Sequence, residues 1–384
     1  MINTKEKVAI ISGSIHQGDA VGHDVCMMYQ TLEKLEYHVS LLALGFNANL
    51  EQQYDCIKIQ QISSLNDYDI VIYHHAFYFP QINKLLKNFI GKLMIRYHNV
   101  TPSHFYMPYK KQSPAAYFCE MGRQQIANMV NKFNQSAYWI ADSNYNSQEL
   151  IDWGVNAQSE KIAVCPPFMN LNQKVRTDSN HINNDSSNKS VNVIFVGRFV
   201  PNKAHKEMIK VIYAYKQCID ENIILTLIGS HDPLLQQYDI EVQQLIDELK
   251  LNEQVQIKSF VSNEELQQHY QQADVYLCMS HHEGFCVPIV EAQAMGLPIV
   301  TTNTAAIGET LGTNQMSSSQ PSQLSDYVYF AKMIQQLVVN QTLKQAVIDQ
   351  GYQNVAGRFA ADIVEQSFVE IFYRFALADK MNNA

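Results

Sequence analysis

The stretch His282-Glu283-Gly284-Phe285-Cys286-Val287-Pro288-Ile289-Val290-Glu291 decides how this chain is read. Proline has no amide hydrogen and a fixed φ, so Pro288 fits the first helical position and leaves Glu283 and Gly284 in the preceding loop. Glu291 then falls about one turn inside the helix. Gly296, followed by Leu297-Pro298, reads as a left-handed stop and the start of a new strand. The helix start presents the amides of Phe285, Cys286 and Val287, and amides at such an end suit a phosphate. One short region thus combines anion-binding amides with two carboxylates able to accept from hydroxyls.

Glutamate in the first turn of a helix complements the dipole, and a loop glutamate can be a plain surface charge. Neither explanation accounts for the apolar runs on both sides, Val275-Tyr276-Leu277-Cys278-Met279 and Leu297-Pro298-Ile299-Val300. Polar groups gathered at the carboxyl end of a buried strand lie where open α/β sheets bind ligands.

Working outward, the same alternation recurs. Val8 to Ile11, Val39 to Leu42, Ile70 to Tyr73, Leu93 to Ile95 and Tyr138 to Ile140 read as short buried strands, with helices over Val21 to Leu35 and Glu120 to Phe133. A second series follows at Val191 to Val196, Ile223 to Ile228, Val255 to Phe260, Val275 to Met279 and Pro298 to Thr302. The helix Lys206 to Ile219 carries Met208, Ile212, Tyr215 and Ile219 on one face. Strands and helices alternating in this way predict parallel sheets covered on both sides. Between the series, Asn170 to Ser190 is rich in Asn, Ser and Asp without apolar period, which marks a linker. Val364, Phe368, Ile371, Phe372 and Phe375 give the last helix one apolar face.

The run from Glu283 to Glu291, continued by Ala292-Gln293-Ala294-Met295-Gly296-Leu297-Pro298, resembles the retaining glycosyltransferases of family 4. A second block agrees. Val193-Ile194-Phe195-Val196-Gly197-Arg198-Phe199-Val200-Pro201-Asn202-Lys203 is similar to the family's strand, glycine-arginine and lysine. Ala204 replaces a glycine that often follows the lysine, and Cys286 and Val287 stand where the family usually has glycine and leucine. The resemblance implies the α/β GT-B fold, two Rossmann-like doubly wound parallel-sheet domains facing a cleft, with the C-terminal helix crossing back to the first. Residues 1–170 with about 362–384 would form the acceptor-side domain, 171–190 the linker and 191–361 the nucleotide-sugar domain.

For the site, the resemblance implies that Arg198 and Lys203 hold the donor diphosphate, with Gly197 and the amides of Gly284, Phe285, Cys286 and Val287 beside them. Arginine supplies a planar bidentate grip and lysine a movable point charge, which together can offset charge on a leaving phosphate without a metal. Glu283 would then hold hydroxyls of the transferred sugar and Glu291 the nucleotide ribose, while backbone groups near Phe260 and Val261 read the base. In the first domain, the turn Ser12 to Gly22, with Gly18 and Asp19, would face the donor phosphates. His98, in Arg96-Tyr97-His98-Asn99-Val100-Thr101-Pro102, resembles a histidine placed near the donor sugar. Two carboxylates also suit a glycosidase, but a hydrolase has no need of Arg198, Lys203 and a phosphate-binding helix end. A nucleotide-sugar epimerase or hydrolase of the same fold, or a non-catalytic binding subunit, are the other readings.

The composition fits a protein with two cores. The chain has 384 residues, enough for more than one ordinary domain. Its formal net charge of −9 argues against a nucleic-acid partner. Seven scattered cysteines without a Cys-x-x-Cys pair read as reduced thiols of a cytoplasmic protein. His74-His75, His104 and His281-His282 lack metal-site spacing, so neither metal nor cofactor is expected beyond the nucleotide-sugar substrate. The Val8 to Ile11 run is too short for a signal peptide or span. From Ile70 to Cys119 there is no acidic residue, while Lys84, Lys87, Lys92, Arg96, Lys110 and Lys111 lie among Phe77, Tyr78, Phe79, Phe89, Tyr97, Phe105, Tyr106 and Tyr109. Over residues 77–111 this suggests a face for the inner membrane surface or a lipid-linked glycan acceptor.

Overall fold

The computed structural model describes residues 6–16, 19–47, 49–158, 160–171, 190–259 and 261–381, with side chains described as far as Leu377. The chain forms two compact units, one of Met1–Ser103, Tyr117–Asn170 and Phe359–Ala384, the other of His104–Ala116 and Leu171–Arg358.

Among its described residues unit 1 holds seven strands: β1 (Lys7–Ile11), β2 (His38–Ala43), β3 (Cys56–Lys58), β4 (Ile70–His75), β5 (Lys92–Tyr97), β6 (Tyr138–Ala141) and β7 (Ile162–Val164). They form one sheet in the order β3-β2-β1-β4-β5-β6-β7, with every pairing parallel. Alternate residues of a strand face opposite layers. Accordingly Val8 and Ile10 join one core cluster and Ala9 and Ile11 the other. The first cluster also takes Val364, Phe368, Ile371, Phe372 and Phe375, so the apolar face of the helix Ala361–Met381 is buried within unit 1, with Phe372 edge-on to Tyr37, Phe375 to Tyr138 and Phe368 to Phe168. The segment does return to the first unit. Burying a phenylalanine contributes about 1.5–3 kcal/mol, which makes this helix a substantial part of that layer.

Unit 2 holds β8 (Val191–Val196), β9 (Ile223–Ile228), β10 (Val255–Lys258), β11 (Val275–Cys278), β12 (Ile299–Thr302) and β13 (Met316–Ser318), ordered β10-β9-β8-β11-β12-β13 and again parallel throughout. Both sheets are doubly wound. Their order reverses between β1 and β4 and between β8 and β11, and such switch points leave a crevice at the strands' carboxyl ends.

Several expectations need correction. Strands β3, β7 and β13 escape the sequence reading because each is three residues long and largely half-buried, too short for an apolar run. The strand expected over Val255 to Phe260 ends at Lys258, and Phe260 lies outside the described residues. Gly18 and residues 172–189 of the expected linker lie outside them too.

Residues 104–116, read as part of the first domain, cluster with unit 2. Aromatic contacts and hydroxyl donors hold them there. Tyr106 donates to Asn202 Oδ1 (3.1 Å), Tyr109 donates to Glu241 Oε2 (2.8 Å), and Phe105 stacks on His281. Residues 77–111 are thus divided between the two units, and several of them are core. Arg96, Phe79, Tyr97, Tyr106 and Tyr109 are buried, and Lys110 and Lys111 belong to the other unit. Lys84, Lys87, Phe77 and Ile90 remain exposed in unit 1. Among the described residues no helix is long and apolar enough to cross a membrane.

Candidate functional site

The site in unit 2 is assembled from two loops at the sheet's switch point. Strand β8 leads through Gly197 and Arg198 into a single 3-10 turn, Pro201–Lys203, and β11 leads into the loop holding Glu283. Since β8 and β11 are neighbours, these loops leave side by side. Asn202 clips them together: its carbonyl accepts from the His281 amide (2.8 Å) and its side-chain amide donates to the His282 carbonyl (3.2 Å). Lys203 and Glu283 then meet, Nζ lying 2.7 Å from Oε1 and 2.8 Å from Oε2. Burial works against the lysine's charge, and the Glu283 carboxylate outweighs it, so the Lys203 pKa is raised.

The neighbouring backbone explains some residue choices. A Cβ at Gly229 would lie 1.9 Å from the Gly197 carbonyl oxygen, so the two loop backbones approach as closely as only glycine allows. Ala204 adopts φ 56° and Cys286 φ 76°, both left-handed. These are the two positions where the resembled family carries glycine. Arg198 is exposed and makes no ion pair among the described residues.

The helix Val287–Ala294 begins one residue earlier than expected, with Cys286 as N-cap and Pro288 as the second helical residue. Its end is as read: Gly296 has φ 71°, and the Leu297 amide donates back to the Ala292 carbonyl. Glu291 is half-buried and accepts at Oε2 from the Tyr270 hydroxyl (3.3 Å). Burial raises the pKa of Glu291, partly countered by that hydrogen bond. Phe285 and Cys286 are buried, whereas Gly284, Val287 and Val261 are half-buried.

Unit 1 has a second charged cluster, at the carboxyl ends of β4, β5 and β6. Arg96, fully buried, donates through Nε to Asp24 Oδ2 (2.5 Å) and through Nη2 to Asp24 Oδ1 (3.2 Å), and further to the carbonyls of Cys165 and Pro166. Asp142 adds an ion pair at 3.4 Å. His98 Nδ1 lies 2.8 Å from Asp142 Oδ2, and its Nε2 lies 2.9 Å from His74 Nδ1. Asp142 is placed to accept from His98 Nδ1, and one hydrogen joins His98 Nε2 to His74 Nδ1. His74 Nε2 is buried and has no hydrogen-bond partner. Burial, followed by His98 and Arg96, holds the His74 pKa well below the usual histidine value, consistent with a neutral ring. Both ring nitrogens of His98 are thus committed inside unit 1. Asp19 is the N-cap of the helix Ala20–Lys34 and accepts from the Gly22 amide (3.3 Å).

Asn202, Tyr270, Asp24 and Asp142 were missed from sequence. Asp142 follows an apolar strand directly, the same signal that singled out His98. Two groups of three ligand-type side chains also come together, Asp24 with His74 and His98, and Cys278 with Glu283 and Cys286. Neither has a local sequence spacing that announces it. A surface concavity of about 460 Å³, lined by Lys7, Tyr29, Tyr37, Ser40 and Asp55 among others, opens near the amino ends of β1 and β2. It lies away from the carboxyl-end groups and gathers none of them.

Known proteins resemble this chain in two ways. Residues 177–354 match the family model of glycosyl transferases group 1. Among curated relatives, the capsular polysaccharide biosynthesis glycosyltransferase CapM of Staphylococcus aureus is 25% identical over 188 residues, covering 47% of this chain and 45% of that protein. The phosphatidylinositol N-acetylglucosaminyltransferase GPI3 subunit of Saccharomyces cerevisiae is 27% identical over 155 residues, 40% of this chain and 33% of its own length. Each match spans less than half of the relative. Among solved structures, HepE of Anabaena in complex with UDP and glucose aligns with a TM-score of 0.71 at 17% identity, over 96% of this chain and 99% of that one. Sucrose-phosphate synthase of Thermosynechococcus elongatus aligns at 0.74 and 17%, over 97% and 100%. At such identity these structures establish the fold: the chain is a GT-B protein of two Rossmann-like units, and its residues 177–354 carry the glycosyl transferases group 1 signature.

Proposed function

We propose that the chain is a retaining glycosyltransferase that moves a hexose from a nucleoside-diphosphate sugar to a hydroxyl of a glycan or lipid-linked acceptor, in the synthesis of a bacterial surface polysaccharide. The carrying observation is the two-point contact of Lys203 with Glu283 at the switch point, in the loop that also carries the exposed Arg198. A donor sugar would insert here. Arg198 and Lys203 take the diphosphate, Glu283 accepts from sugar hydroxyls and Glu291 accepts from the ribose. As the bond from the anomeric carbon to the phosphate oxygen breaks, negative charge grows on the leaving group, where two cations and the amides around Phe285 to Val287 stabilise it. The acceptor oxygen bonds to the same carbon, and its proton passes to the departing phosphate. A metal is not needed for this.

Both Glu283 oxygens are bound to Lys203, which leaves that carboxylate poorly placed as a glycosidase acid or base. His98, with both nitrogens engaged, serves in this reading to shape the loop after β5 rather than to transfer a proton. The capsule relative favours a surface polysaccharide as product. A peripheral membrane contact at the cytoplasmic face, if made by unit 1, rests on Lys84, Lys87, Phe77 and Ile90. The decisive experiment incubates the purified chain with UDP- and GDP-sugars and a panel of glycan acceptors. Sugar transfer should persist with a chelator present and vanish in Arg198→Ala. Strict dependence on a divalent ion, or full turnover by Arg198→Ala, overturns the mechanism.

A further inference from the structure

We propose that Cys278, Cys286 and Glu283 form a binding site for a soft divalent cation, with Zn²⁺ as the fitting ion, and that its occupancy shuts down the donor site. The ligand atoms of these three residues all lie within 4.8 Å of one another, and all three residues are buried. Zinc bound to thiolates and a carboxylate has bonds of about 2.0–2.3 Å. Its ligand atoms therefore sit under about 4 Å apart, so the site closes around an ion with small side-chain shifts. Thiolates select zinc over magnesium or calcium, which prefer oxygen.

Three further observations point the same way. Cys286 is held at φ 76°, a backbone state in which glycine is at ease and a side chain is not. A residue kept there at a backbone cost has its thiol beside a second thiol and a carboxylate. Cys278 donates its thiol hydrogen to the Ser280 hydroxyl (3.4 Å), so this buried thiol sits in a polar contact and not against hydrocarbon alone. Charge also balances. Before binding, Lys203 and Glu283 cancel and the thiols are neutral. Afterwards Zn²⁺ with two thiolates and one carboxylate carries a single negative charge, which Lys203 neutralises, and the two thiol protons leave to solvent. One Glu283 oxygen can stay with Lys203 while the other binds the ion. Cys286 and Glu283 keep a few percent of their surface open, giving a small ion an entry that a bulky reagent lacks.

The inhibitory consequence rests on the proposed donor role of Glu283, whereas the binding does not. The test titrates Co²⁺, a spectroscopic substitute for Zn²⁺, into the full-length purified chain kept reduced by a phosphine. Wild type should develop a thiolate-to-cobalt charge-transfer band that saturates at one equivalent, disappears when Zn²⁺ is added, and is accompanied by release of two protons per ion. Losing an outer-shell partner of a metal costs roughly 10–100-fold in affinity, and losing a ligand should cost no less. Cys278→Ser, Cys286→Ser and Glu283→Gln should each weaken binding by at least that factor, while Cys218→Ser, at an exposed thiol, should not. Circular dichroism checks each fold, and Glu283→Gln keeps both thiols should a serine variant fail to fold. Absence of the band in wild type, or unchanged affinity in the folded Cys278→Ser and Glu283→Gln variants, overturns the site. In sugar transfer, Zn²⁺ should inhibit wild type, with relief by more donor, and should lose that effect in the variants relative to each one's own untreated rate. Zinc bound without inhibition removes the second half of the proposal. A metal-free chain that transfers no sugar counts against the glycosyltransferase reading and leaves the cobalt band to decide the ion site.

Discussion

Two arginines follow the same local logic and end in opposite states. Arg96 lies near the carboxyl end of β5 in unit 1 and Arg198 just past the carboxyl end of β8 in unit 2. Arg96 is fully buried, with Asp24, Asp142 and two backbone carbonyls taking its donors. Burial works against its charge, and the two carboxylates more than offset that, so its pKa is raised. Arg198 is exposed and makes no ion pair among the described residues. A guanidinium whose donors are spent inside the protein holds a structure together, and one whose donors face solvent is available to a ligand. The acidic groups show the same contrast. Asp24 is walled in by Arg96 and the Phe168 amide, while Glu283 is held by one lysine that a diphosphate could draw away.

The largest effect should come from breaking the unit 1 cluster. Asp24→Ala leaves Arg96 short of its principal partner inside the core, and removing one side of a buried pair typically costs about 3–5 kcal/mol. Both tryptophans, Trp139 and Trp153, belong to unit 1, so tryptophan fluorescence during urea unfolding follows that unit alone. A shift of under about 0.5 kcal/mol would show that the cluster does not hold the sheet. Arg198→Ala should do the reverse. Removing a charge-stabilising donor costs roughly 10²–10³-fold in turnover, whereas an exposed substitution moves stability by no more than about 0.5 kcal/mol. Measuring kcat/KM and the urea midpoint on the same protein separates the two arginines; comparable unfolding losses would erase the distinction.

Glu291→Gln sharpens the contrast within unit 2. Burial raises the folded pKa of Glu291 above its unfolded value of about 4.3. Stability tied to this group is therefore complete below pH about 4.3 and declines as pH rises through the folded pKa. The glutamine variant should be more stable than wild type at neutral pH, on the ordinary scale of about 1 kcal/mol for one substitution. The gain should shrink to nothing on acidification and be accompanied by weaker nucleotide binding. Thermal unfolding at several pH values reads it, and a pH-independent difference would contradict the burial argument.

The smallest effect is at Ala204. A left-handed non-glycine residue costs about 1–2 kcal/mol, and glycine brings back about 0.5–1 kcal/mol of unfolded-state entropy. Ala204→Gly should accordingly gain between about 0 and 1.5 kcal/mol, seen as a small rise in melting temperature. A clear loss would mean that the methyl group, only 3% exposed, contributes more by packing than the backbone loses by strain.

Much of the architecture was readable because its signals are local. A buried parallel strand must be apolar along its length, and ten such runs stand out before any coordinates exist. Edge strands β3, β7 and β13 lack that signal, being half-buried and three residues long. Residues 104–116 were misassigned because continuity along the chain favours the first domain, whereas Tyr106 and Tyr109 find their hydroxyl acceptors in unit 2. The burial of part of the basic, aromatic stretch was hidden for a related reason. A count of lysines, arginines and aromatics is silent about which of them are buried, and Arg96 has its acids 72 residues before it, at Asp24, and in the strand-end residue Asp142.

Local sequence sets the strand and helix alternation, the left-handed stop at Gly296, and the presence of a glycine-arginine-lysine block and a glutamate pair, since each depends on neighbours a few residues apart. Long-range packing brings Lys203 onto Glu283, places Cys278 and Cys286 together with Glu283, and spends Arg96 while leaving Arg198 open. Those outcomes follow from which strands lie side by side. Pairing in a parallel sheet joins residues some 80 positions apart, as it does Lys203 and Glu283, and no spacing within either segment encodes which partner will arrive.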